Sequence, residues 1–227
     1  MKNIAVILSG GVGERMNSSC PKQYMDVGGQ PVIAYTLQKF TKRKDISNFV
    51  IVADKKWRDF ILSTLSKDRE VVFANPGTTR QHSIYNALKV LKQQKTNEND
   101  IVIIHDAVRP CVSDNIITQC IEGCENFDGV LPVIPIKDTV YQSKDGRTIS
   151  NLLNRNELFA GQSPESFRFE KYLEIHEKMS DEEISKINGS SEIAFKNGLN
   201  ILLTEGEECN FKITTIEDFN RFKNNNI

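Results

Sequence analysis

The chain has 227 residues, a length that suits one large domain. Its 29 Lys and Arg offset 30 Asp and Glu, leaving a net charge of −1 with no basic or acidic block, which disfavours a nucleic-acid-binding surface. The N-terminal apolar run covers only residues 4–8, too short for a signal peptide or a membrane span, so a cytoplasmic protein without a membrane partner is expected.

Residues 4–8 read as a buried strand that runs into Ser9-Gly10-Gly11-Val12-Gly13-Glu14-Arg15-Met16, with Pro21-Lys22-Gln23 shortly after. Glycines let such a loop turn tightly and leave amide N–H groups free to face phosphate oxygens. Arg15 and Lys22 add the positive charge that a polyphosphate needs. Neither of the better-known phosphate loops fits. Lys22 lies between Pro21 and Gln23, unlike the lysine of a P-loop, and Met16 takes the place of the third glycine of the dinucleotide fingerprint. The stretch is therefore either another kind of triphosphate loop or a strand-to-helix turn with two surface cations.

Further along, short β-branched runs at 49–53, 71–74, 101–105 and 129–134 read as buried strands. Between them, 32–40, 57–65, 83–91 and 115–124 carry apolar residues at helical spacing. Strand–helix repetition of this kind predicts an α/β fold, a mostly parallel sheet with helices on both faces, whose ligands bind beyond the C-terminal strand ends. After Pro135 the rhythm breaks. Lys144-Asp145-Gly146, flanked by Tyr141 and Ile149, predicts a hairpin within about 136–165 that either packs on another chain or folds over its own domain. Helices are expected at 167–179, at 182–197 and from Ile216, with a strand at 201–204; Thr215 and Asp218 read as a capping box.

Several strand ends carry candidate chemistry. Gly77-Thr78-Thr79-Arg80-Gln81-His82-Ser83 could offer backbone groups and the Ser83 hydroxyl to a base, with Arg80 near phosphates or bracing the loop. In His105-Asp106-Ala107-Val108-Arg109-Pro110, Asp106 sits where a Mg²⁺ ligand would stand, and Arg109 could pair with it. Lys212 gains interest only if the sheet order brings it beside the first loop. The five cysteines, Cys20, Cys111, Cys120, Cys124 and Cys209, lack metal-ligand spacing and are expected reduced.

Taken in order, L-S-G-G-x-G-x-R-M, P-K-Q, G-x-x-R-x-x-S, H-D-A-V-R-P, K-D-T, G-Q-S-P-x-x-F and N-x-K-I-T-T resemble the cytidylyltransferase superfamily of 2-C-methyl-D-erythritol 4-phosphate and D-ribitol-5-phosphate cytidylyltransferases. The resemblance implies one Rossmann-like nucleotidyltransferase domain over 1–227 and a homodimer with exchanged β-arms. It also implies transfer of CMP from CTP, with Mg²⁺, to a polyol phosphate, giving a CDP-polyol and pyrophosphate. Carried over by motif, Leu8, Ser9, Gly10, Gly11, Gly77, Arg80, Ser83 and Asp106 would meet the nucleotide, Asp106 also the metal. Arg15, Lys22 and Lys212 would be the catalytic cations. Arg109, with Thr139 and Arg155 of the partner's arm, would grip the polyol phosphate. The Ser-Gly-Gly loop, Trp57 and Met179-Ser180-Asp181-Glu182-Glu183 look more like the ribitol branch, giving CDP-ribitol; the methylerythritol enzyme is the alternative. Asn188-Gly189 replaces the Thr-Asp usual in both branches, which leaves room for a CTP-binding module without turnover.

Overall fold

The computed structural model describes residues 1–11, 20–65 and 70–225. The first half comprises β1 (Asn3–Leu8), a 3-10 turn at Lys22–Tyr24, the short pair β2 (Asp26–Val27) and β3 (Gln30–Pro31), then α1 (Val32–Thr41), β4 (Ile46–Val52), α2 (Lys55–Ser63), β5 (Val71–Ala74), α3 (Arg80–Gln93), β6 (Ile101–Asp106) and α4 (Asp114–Gly123). The second comprises β7 (Gly129–Pro135), β8 (Val140–Gln142), β9 (Asn151–Leu153), β10 (Phe159–Gly161), β11 (Glu165–Arg168), α5 (Phe169–Lys178), α6 (Asp181–Ser185), α7 (Ser190–Lys196), β12 (Ile201–Glu205) and α8 (Ile216–Asn224).

The eight-stranded sheet has β5, β4, β1 and β6 side by side and parallel, as the apolar runs predicted. Their side chains alternate between two cores. Ala5 and Ile7 face one core with Ile33, Leu37 and Phe40 of α1 and Ile116 and Ile117 of α4. Ile4 and Val6 face the other, with Ile84, Leu88 and Leu91 of α3 and Tyr172 and Leu173 of α5. Burial of each such side chain contributes about 1.5–3 kcal/mol, so helices on both faces are what keep an all-apolar strand like β1 in place.

Two elements depart from the sequence reading. The helix expected at 167–179 starts at Phe169, because Glu165–Arg168 forms β11, antiparallel between β6 and β7. The helix expected at 182–197 is two short helices, α6 and α7, interrupted where Asn188-Gly189 leaves the helical path. The hairpin forms: β8 and β9 pair, and the Asp145 carboxylate accepts from the Arg147 and Thr148 amides across the turn. Among the described residues, no helix is long and apolar enough to cross a membrane.

The order of strands fixes where a ligand can sit. From β1 the chain goes to β4 and β5 on one side, then returns through α3 to β6 on the other. Such a reversal opens a crevice at the C-terminal ends of β1 and β6. Leu8 and Asp106 are partners in register there, and the Ala107 amide donates to the Leu8 carbonyl (3.0 Å).

Candidate active site

One side of the crevice is made from two loops that lock together. A Cβ on Gly10 would lie 2.5 Å from Cβ of Pro76, so the loop after β1 can approach the loop after β5 only with glycine at that position. Gln23 then ties the first loop to the 3-10 turn, its Nε2 donating to the carbonyls of Ser9 (2.9 Å) and Gly11 (2.7 Å). Tyr24 adds a hydroxyl bond to the Ser9 carbonyl (3.0 Å) and accepts from Ser9 Oγ (2.9 Å). Lys22 opens this turn and is half-buried. In the second loop, Ser83 Oγ accepts from the Gly77 amide (2.9 Å) and donates to the Thr79 carbonyl (2.9 Å). The Ser83 hydroxyl is thus engaged in shaping the loop. Arg15 lies outside the described residues.

The other side is a cluster of charges around Asp106. Arg80 Nε stands 3.2 Å from Asp106 Oδ1, Lys212 Nζ 3.0 Å from Oδ2, and Arg109 Nε 3.8 Å from Oδ2. Burial alone would raise the Asp106 carboxyl, but the charges of Arg80, Lys212 and Arg109 outweigh it and hold the group well below the ordinary carboxylate range. The magnitudes agree. At an effective dielectric of about 20, a cation at such distances attracts by roughly 4 kcal/mol, less for the partly exposed Lys212, against several kcal/mol for burying one carboxylate. Asp106 is therefore ionised at neutral pH.

Lys212 reaches this cluster because the stretch before α8 is fastened across the tip of β6. The Ile213 amide donates to the Val108 carbonyl (2.9 Å), Arg109 Nη1 to the Asn210 carbonyl (2.6 Å), and Asn210 Nδ2 to the Ser163 carbonyl (2.8 Å). Beneath it, His105 Nε2 meets the Arg109 carbonyl (3.0 Å) and Nδ1 meets Ser163 Oγ (3.2 Å). A carbonyl only accepts, so the proton is on Nε2. Burial pushes the His105 imidazole down to about 4. His105 is a neutral brace.

Arg80, Asp106, Arg109, Glu165, Asn188, Gly189 and Lys212 border one cavity of about 310 Å³. The structure therefore brings together four of the expected residues, Arg80, Asp106, Arg109 and Lys212. Arg80 reaches Asp106, Glu165 (Nη2, 3.3 Å) and Ser190 Oγ (Nη1, 2.5 Å), so it braces the charge cluster. Thr139 and Arg155 do not line the cavity; both are exposed on the arm, where Arg155 Nη1 donates to the Lys137 carbonyl (2.9 Å). Glu165 was not anticipated. Its signal was present only in Ser-Pro-Glu, a charge beside a strand-starting proline.

Both oxygens of Asp106 already face cations, which would repel an incoming Mg²⁺. Among the described residues no group of three His, Cys, Asp or Glu side chains could hold a metal. With Asp106 as its carboxylate ligand, a Mg²⁺ here would complete its shell from the triphosphate and water.

A phosphate-type glycine loop and a cation cluster sharing the switch point of an open α/β sheet define a nucleotidyltransferase-like protein. The model of the 2-C-methyl-D-erythritol 4-phosphate cytidylyltransferase (IspD) family matches residues 3–224, and the chain belongs to that family. It is thus a CTP-dependent cytidylyltransferase. Among solved structures, it is similar to the 4-diphosphocytidyl-2C-methyl-D-erythritol synthase of Anaerococcus prevotii DSM 20548 (26% identity, 99% of this chain and 97% of that one, TM-score 0.82). The fold is shared with the 2-C-methyl-D-erythritol 4-phosphate cytidylyltransferases of Francisella tularensis (24%, 100% of both chains, 0.83) and Thermus thermophilus (23%, 99% and 98%, 0.77). The leaning towards the ribitol branch is not supported by these matches. Two features that suggested it have local explanations: Trp57 stacks on Tyr24 at 4.2 Å, and Ser180 with Glu183 forms the capping box of α6.

Proposed function

We propose that the protein transfers CMP from CTP to 2-C-methyl-D-erythritol 4-phosphate. An oxygen of the acceptor phosphate attacks the α-phosphorus of CTP, a P–O bond to that phosphorus forms, and the bond to the β-phosphate bridge breaks, with pyrophosphate taking the electron pair. The attacking oxygen is anionic near neutral pH, so no strong general base is needed. The task is to hold two mutually repelling anions in line and to neutralise the crowded phosphorus.

In this reading the backbone of Leu8–Gly11 and of Gly77 receives cytidine and phosphates, and Arg15 and Lys22 hold the triphosphate. Lys212 faces the α-phosphate, and Asp106 keeps Arg80, Arg109 and Lys212 gathered at the crevice. Mg²⁺ arrives as part of the CTP substrate complex. Thr139 and Arg155 reach the acceptor phosphate of a second copy, a homodimer supported by the exposed Tyr141, Ile149 and Leu152 of the arm. The observation that carries the proposal is Lys212 at 3.0 Å from Asp106, beside the glycine loop's strand. The family match supports the choice of acceptor. The test is pyrophosphate release with CTP and Mg²⁺ across 2-C-methyl-D-erythritol 4-phosphate and D-ribitol 5-phosphate. Turnover with the first at least about a hundredfold faster (kcat/KM) is expected; preference for the second reverses the acceptor assignment.

A further inference from the structure

Helix α7 begins without a cap of its own. Gly189 precedes it and has no side chain to accept from the first helical amides. Glu192 is turned back onto the amides of Asn188 (2.8 Å) and Gly189 (3.3 Å). The Ser191 amide instead donates across to β11, to Glu165 Oε2 (2.8 Å), and Ser191 Oγ donates to the same oxygen (2.7 Å). The other oxygen of Glu165 faces Arg80 Nη2 (3.3 Å), whose Nε holds Asp106 and whose Nη1 holds Ser190. One buried carboxylate thus joins the helix start that carries Asn188-Gly189 to the guanidinium that orients Asp106. All of these groups border the 310 Å³ cavity or the residues lining it.

We propose that Glu165 is a positioning residue for the acceptor: by capping α7 from the neighbouring strand while neutralising Arg80, it sets the Asn188–Gly189 wall at a fixed distance from Asp106, Arg109 and Lys212. Glu165 reaches the 77–83 loop through Arg80, whose guanidinium lines the cavity with Asp106, so its effect falls on the acceptor more than on CTP. This rests on the cavity being the acceptor's place in CMP transfer. A second acid in a cavity meant for an anionic substrate is otherwise unfavourable; here its charge is spent on Arg80 and on the helix start.

The test compares Glu165→Gln, which keeps the shape and an oxygen for Ser191 but loses the charge, with Glu165→Ala, which loses both. Each is assayed with the acceptor that the wild-type protein turns over, so failure of the acceptor assignment shows in the wild type and failure of the positioning role shows only in the variants. Acceptor KM should rise about tenfold in Gln and further in Ala, with CTP KM within about twofold of wild type. Melting temperature is recorded alongside; should the Ala variant not fold, the Gln variant carries the comparison. Acceptor KM within twofold of wild type in Gln, or an equal rise in both KM values, overturns the proposal.

Discussion

Around Ser9–Gly11, Gly77 and Ser83 the crevice is made of backbone and neutral side chains, locked by Gln23, Tyr24 and Ser83. Around Asp106 it is made of charge: three cations and two carboxylates whose positions depend on one another. The first region can present amides to a nucleotide without rearranging, because its hydrogen bonds close on themselves. The second can answer a change in charge, such as the arrival of an anion, because each of its members is held chiefly by electrostatics. Substitutions in the two regions should therefore be felt by different substrates.

The largest expected effect is on the charged side. Lys212→Ala should lower kcat by about 10²–10³-fold, as loss of a transition-state contact does, with folding unchanged; an unaltered kcat would remove Lys212 from the chemistry. On the neutral side, Gly10→Ala forces a methyl group against Pro76, an overpacking of about 1–3 kcal/mol. CTP KM should rise roughly tenfold or more while acceptor KM stays put, and an equal rise in both would erase the division. Arg155→Ala, on the arm, should raise acceptor KM by several fold and leave CTP KM alone. Equal losses would argue against the arm reaching the acceptor.

The smallest effect is a slope in pH. Burial pushes both His105 and His176 down to about 4, from an ordinary value near 6.5. The unfolded chain therefore binds protons that the folded one refuses, and stability rises with pH between about 4 and 6.5. Melting temperature should fall as pH drops through that window. Above about pH 5, where the carboxylates have finished titrating, His176→Gln should flatten the dependence by about half; an unchanged slope there would mean that His176 is already protonated in the fold.

Much of the sheet was legible because β1, β4 and β6 are buried on both faces and so are apolar at nearly every position. β11 was not, since four residues between Pro164 and a helix carry too little pattern to be told from the helix that follows. The site was legible to the same uneven degree. Glycines that mark close approach, such as Gly10, stand out locally, whereas the Arg80–Glu165 pair joins positions 85 residues apart and has no local signature. Lys212 could be placed only through the ordered motifs, because hydrogen bonds from Asn210 and Ile213 to distant elements, not its neighbours in sequence, carry it to Asp106.

The most direct measurement of the central claim is Asp106→Asn, with CTP binding followed by calorimetry and CMP transfer followed by single-turnover kinetics on the same sample. The carboxylate gathers the cations for transfer while the neutral loops hold the nucleotide. CTP affinity should therefore stay within about fivefold, and the transfer rate should fall by about 10²-fold or more. Loss of CTP binding with transfer intact at saturating CTP would contradict it.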